Sequence, residues 1–128
     1  MAEYYYIQAI KSGPTDTNTL FKYACFLERY GKYDLAEEYY LKALEAFPYH
    51  SNALTVYADF LAGCRRYYHD AEDFYMLALK ADETNVFCLN NYACFLTCVR
   101  KNYNQAEEYF KRVNKKFKEC MIHFSIGY

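Results

Sequence analysis

The chain has 128 residues, 54% of them hydrophobic, and 15 Lys and Arg against 16 Asp and Glu give a formal net charge of -1. This length suits one compact domain with enough apolar material for a core, and the charge balance excludes a strong overall field for nucleic acid or an acidic membrane surface. Charges interrupt every apolar stretch well before about 18 residues, which excludes a membrane span, and the start Met1-Ala-Glu-Tyr-Tyr-Tyr6 lacks the basic flank and apolar run of a secretory signal.

The first predicted element is a lone helix over 2–12, with Ala2, Tyr6 and Ala9 on one face, closed by Gly13-Pro14-Thr15-Asp16. Helix pairs follow at 17–30 with 33–47, 51–63 with 67–81, and 85–99 with 102 to about 118. Apolar positions such as Leu20, Tyr23, Ala24, Leu27 and then Ala36, Tyr40, Ala43, Leu44 recur at intervals of three and four, the spacing of an amphipathic helix. Alternation of period two, which strands would need, is missing. The segment from Lys115 to Tyr128 either extends the last helix or opens another.

Two phrases repeat along these elements. Tyr23-Ala-Cys-Phe-Leu27 returns as Tyr57-Ala-Asp-Phe-Leu61 and Tyr92-Ala-Cys-Phe-Leu96. Ala2-Glu-Tyr-Tyr-Tyr6 returns at Ala36, Ala71 and Ala106, spacings of 34, 35 and 35 residues. Ala24, Ala58, Ala93, Ala36, Ala71 and Ala106 are small where two helix backbones approach closely. Tyr40, Tyr75 and Phe110 lie one turn beyond the second set, where a ring reaches the next unit's first helix.

The pattern Leu20-x2-Tyr23-Ala24-x2-Leu27, then Ala36-x3-Tyr40-x2-Ala43 and Pro48, with near-copies from Leu54 and Leu89, resembles the tetratricopeptide repeat (TPR). The resemblance implies an all-α, right-handed α-α superhelix, or solenoid, of about three helix pairs. The parts would be a lone second helix over 2–16, repeats over 17–50, 51–85 and 86–119, and a helical extension over 120–128. Leu and Ala stand where the repeat has Trp and Gly, and Glu83 and Lys118 stand where the closing Pro would be. The second and third units also insert one residue between their helices, at Arg65-Arg66-Tyr67-Tyr68 and Arg100-Lys101-Asn102-Tyr103, which should lengthen that turn.

In such repeats the first helix of each pair lines a concave face. By position, the resemblance assigns that groove to Asn18, Phe21, Lys22 and Cys25, to Asn52, Thr55, Val56 and Asp59, and to Phe87, Asn90, Asn91 and Cys94. Amide side chains that donate and accept suit the backbone of a bound peptide. The clamp that some of these grooves place on a C-terminal carboxylate is not expected, because Lys22 and Asn91 are its only candidates.

Chemistry is sparse. There is no Gly-rich phosphate loop, no H-E-x-x-H and no G-x-S-x-G, and His50, His69 and His123 are isolated, so no catalytic residue and no cofactor is expected. Cys94 and Cys98 share a helix face, yet a metal would need two further ligands, and none is expected. Cys25, Cys64, Cys88, Cys94, Cys98 and Cys120 fall in helix-like segments, which suits reduced thiols in an intracellular protein, cytoplasmic or alternatively nuclear. Arg65, Arg66, Arg100 and Lys101, and the Lys111 to Lys118 cluster, read as solvated cations near helix ends.

The expectation is a non-enzymatic scaffold or adaptor that binds a peptide or protein, without membrane or nucleic-acid partners. One alternative is a structural component of an RNA-processing complex, since the phrases also resemble the half-a-TPR repeat. Another is end-to-end self-association, into a homo-oligomer or as a segment of a longer repeat array, through Tyr4, Tyr5, Tyr6, Ile7 and Ile10 of the lone helix.

Overall fold

A computed structural model describes residues 2–11 and 17–126, with side chains over 3–11 and 18–116. The protein is all-α: α1 (Ala2–Lys11), α2 (Thr17–Arg29), α3 (Tyr33–Ala46), α4 (Ser51–Phe60), α5 (Tyr68–Ala81), α6 (Val86–Phe95) and α7 (Tyr103–Ile126), with no strand among the described residues. Helices α4 and α6 run on into π-helical segments, Leu61–Arg65 and Leu96–Arg100. The predicted turn at 13–16 and residues 127 and 128 lie outside the described residues. Among those residues, no helix is long and apolar enough to cross a membrane.

The closest packing joins α2 to α3, α4 to α5 and α6 to α7, and smaller contacts join α1 to α2, α3 to α4, α4 to α6 and α5 to α6. Small residues occupy these seams: Ala24, Ala36, Ala58, Ala71 and Ala93 have no exposed surface, and Ala106 is buried. The rings fill the space beside them as expected. Tyr40 stands 6.0 Å from Tyr57 and 5.1 Å from Phe60, while Tyr75 stands 5.2 Å from Tyr92 and 5.4 Å from Phe95. Tilted and offset ring pairs at these separations add to the burial of their area.

A single hydrogen bond explains why the two phrases recur together. Tyr23 donates to Glu3, Tyr57 to Glu37 and Tyr92 to Glu72, at 3.3, 3.2 and 3.0 Å, each across 20 residues of sequence. In each case the Tyr of one phrase reaches the Glu of the preceding one, tying α1 to α2, α3 to α4 and α5 to α6. Burial, then the facing carboxylate, pushes the Tyr23 hydroxyl up to about 12 and the Tyr57 and Tyr92 hydroxyls higher still.

The extra residue of the second and third units is not in the turn, as expected, but in the helix end. In the first unit, the Leu27 carbonyl accepts the Lys32 N–H at 2.9 Å, with Gly31 in the left-handed region at φ 78°. This is a glycine-capped helix end, which a residue without a Cβ adopts freely. In the later units the equivalent carbonyl, Leu61 or Leu96, accepts an N–H one residue further on, from Tyr67 or Asn102, also at 2.9 Å. The last turn widens to π form to hold the insertion, and Arg66 and Lys101 take the left-handed position at φ 58° and 57°.

Beyond this unit, α7 extends without interruption for 24 residues, so the segment after Lys115 prolongs the last helix and does not open another. On α1, Tyr6, Ile7 and Ile10 pack against the core and are partly covered, whereas Tyr4 and Tyr5 remain exposed.

Candidate functional site

The N-termini of α4 and α6 are pinned side by side, which positions the helices that carry most of the sequence-assigned groove. Asn85 caps α6 through its side-chain oxygen, which accepts the Phe87 N–H at 3.1 Å. Its amide nitrogen donates to Ser51 Oγ and Asn52 Oδ1, both at 2.8 Å, and Ser51 Oγ donates onward to the Ala78 carbonyl. His50 caps α4, its Nδ1 accepting the Ala53 N–H at 3.2 Å, so this histidine serves as a helix cap.

Toward their C-terminal ends, α4 and α6 open into a cleft of about 440 Å³. Asp59, Ala62 and Gly63 form one wall, Asn91, Cys94, Phe95, Cys98 and Val99 the other, and Tyr75 of α5 contributes from below. Asp59 joins these elements: Tyr75 donates its hydroxyl to Oδ1, and Asn91 Nδ2 donates to Oδ2 at 2.8 Å. Burial pushes the Asp59 carboxyl above its ordinary value, and its two hydrogen bonds oppose that rise. Burial also drives the Tyr75 hydroxyl up, with the Asp59 charge next in effect.

Of the residues assigned to the groove, the cleft gathers Asp59, Asn91 and Cys94. Asn52 lies at the pinned N-termini, Val56 of α4 is half-buried, and Phe87 and Asn90 are exposed on α6. On α2, Asn18, Lys22 and Cys25 are exposed, and Phe21 is half-buried with its ring 5.9 Å from Tyr40. Cys25 Sγ lies 3.3 Å from the Tyr40 hydroxyl, which donates to Glu28 at 2.7 Å. Thr55 is corrected: it has no exposed surface, its hydroxyl donates to the Ser51 carbonyl at 2.9 Å, and it faces the buried Cys88. A side chain enclosed between α4 and α6 cannot meet a ligand.

Sequence reasoning left out Tyr75, Ala62, Gly63, Phe95, Cys98 and Val99 of the cleft. The i, i+4 spacing of Cys94 and Cys98 was a usable signal for one of them. Gly63 and Val99 line the cleft from the π-helical segments, whose widening shifts residue directions from those of an α-helix, and no sequence spacing announces that.

Of the basic turn residues, Arg66 and Lys101 are exposed, whereas Arg65 and Arg100 are not simply solvated. Arg65 pairs with Asp34 and Glu37 of α3 and keeps only 19% of its side chain exposed, while Arg100 pairs with Glu72 of α5 at 3.2 Å. Each guanidinium also lies 5.8 Å from a ring centre, Phe60 or Phe95. On α7, Arg112 pairs with Glu108 and Lys116 donates to the Thr84 carbonyl. Among the described residues, no group of three or more His, Cys, Asp or Glu side chains converges as a metal-ligand set. Searches against protein-family models and curated proteins found no significant match to this chain.

Proposed function

We propose that this chain is a non-enzymatic, TPR-like helical-repeat module, stacked as a right-handed solenoid, that binds a peptide or protein segment along its first helices, α2, α4 and α6. The observation that carries this reading is the open cleft between α4 and α6, where Asp59 of one repeat meets Cys94, its counterpart in the next, and the neighbouring Asn91. Its mixture of amide, carboxylate, thiol and apolar surface offers hydrogen bonds to a backbone and contacts to side chains, which is how an extended or helical peptide is held. Phe87 and Asn90 add exposed surface on the same helix.

A photo-crosslinking amino acid at Asn90 or Cys94 tests this directly. In cell extract it should trap a polypeptide that the same group at Met76, exposed on α5, does not trap. Equal trapping from both positions would remove the groove assignment. End-to-end association is favoured by one separate observation, the exposure of Tyr4 and Tyr5 at 68% and 69%. Light scattering of wild type against Tyr4→Ser/Tyr5→Ser tests it: a concentration-dependent mass that the double variant lowers supports association, and an invariant mass of one chain rejects it.

A further inference from the structure

The chemistry of the cleft floor narrows the kind of polypeptide it suits. Asp59 is a shielded carboxylate whose two hydrogen-bond donors, Tyr75 and Asn91, are neutral, and among the described residues no cation lies within ion-pair distance of it. A second carboxylate, Glu28 of α2, adds negative potential at the same place and likewise has no cationic partner among those residues. Several other acids do have a basic partner: Glu3 pairs with Lys32, Asp34 and Glu37 with Arg65, and Glu72 with Arg100.

A carboxylate has about four acceptor positions, so the two neutral donors leave Asp59 room for more. Beside it, Ala62, Phe95 and Val99 offer apolar wall. This combination fits a long side chain that is aliphatic along its stem and positive at its tip. We infer that the cleft takes a lysine or arginine side chain from a polypeptide partner, the stem lying along Ala62, Phe95 and Val99 and the charge meeting Asp59. The inference rests on the groove reading above and adds the partner's chemistry to it. The opposite charge of an incoming cation would offset the desolvation that now disfavours the Asp59 charge.

Gly63 supplies a structurally mild way to block the site. It lines the cleft, and a Cβ built on it meets no atom within 4 Å, so Gly63→Leu should fill the opening while leaving the core and Asp59 untouched. The test is selection of a randomised dodecapeptide display library on the full chain, followed by affinity measurement of recovered peptides against wild type, Gly63→Leu and Asp59→Asn. The expected peptides are enriched in Lys or Arg, bind at least tenfold more weakly to both variants, and weaken as much when the critical lysine becomes norleucine. Recovery of neutral or acidic peptides that are still blocked by Gly63→Leu would overturn the cationic preference and leave the groove reading standing. Recovery of no peptide sensitive to Gly63→Leu would overturn both. If Asp59→Asn lowers the melting temperature, Gly63→Leu and the norleucine peptide decide the matter.

Discussion

Phe26 of the first helix pair stays partly exposed among Tyr6, Tyr23 and Tyr30, whereas Phe60 of the second is 1% exposed, enclosed by Tyr33, Tyr40 and Tyr57 and covered by Arg65. Both occupy the same place in the repeated phrase. The position four residues after Leu27 is Gly31, while four after Leu61 and Leu96 come Arg65 and Arg100. The first unit therefore ends in a compact glycine cap, and the later units end in a widened turn. From that turn an arginine reaches over a ring to the acids of the preceding helix. One inserted residue thus exchanges a tight local turn for a link between neighbouring units.

The largest test of this difference is at the rings. Phe60→Ala should cost about 3–5 kcal/mol, the range for emptying a buried aromatic site, and Phe26→Ala about half of that because its site is already open to water. Urea denaturation of the two variants measures both. Equal losses would show that Arg65 and its neighbours do not enclose Phe60 in solution.

Arg65→Ala should lower the melting temperature clearly more than Arg29→Ala, since Arg65 combines a ring contact with two carboxylates. Arg65→Lys should recover little of the loss, because an ammonium lacks the planar face and the fork of donors. Full rescue by Lys would reduce the link to simple charge.

The Tyr–Glu bonds should behave alike in all units, which makes them the control for the comparison. Tyr57→Phe should cost about 1.5 kcal/mol, the lower end for a hydrogen bond to a charged acceptor. These hydroxyls are raised in the folded state, so the folded protein keeps protons that the unfolded chain loses above its ordinary tyrosine value of 10.0. Their stabilisation is complete below pH 10.0, declines as pH rises above that value, and is fully lost for Tyr23 once pH passes about 12 and for the others higher still. Thermal melts from pH 8 upward should be level at first and then fall, and the fall should be shallower in Tyr57→Phe/Tyr92→Phe. A profile that these substitutions leave unchanged would place the alkaline transition elsewhere.

Helix positions, the alanine seams and the rings beside them were readable from the sequence because close packing of amphipathic helices constrains residue size at a fixed period. The Tyr–Glu bond was not anticipated, because its constant 20-residue separation emerges only when the two phrases are read across units rather than within one. Thr55 could not be distinguished from its exposed neighbours, since its burial depends on how near α6 comes to α4, a distance carried by Ser51, Asn85 and Cys88 together. The π-helical segments were legible only as an inserted residue. Whether an insertion bulges the loop or widens the helix depends on which N–H the last carbonyls capture, and here Leu61 and Leu96 accept from Tyr67 and Asn102, a choice that residue spacing does not reveal.

The turns themselves give the smallest test. Gly31→Ala forces a Cβ into the left-handed region and should cost about 1 kcal/mol by urea denaturation, even though nothing lies within 4 Å of that Cβ to clash with it. Arg66→Gly and Lys101→Gly relieve the same strain at φ 58° and 57°, but each also frees the unfolded backbone and removes a cation from a helix C-terminus. These opposing effects are similar in size, so the expected net change is within about 0.5 kcal/mol of zero. A gain of more than about 1 kcal/mol from either glycine would mean that the widened turns are strained in a way that the glycine cap of the first unit is not.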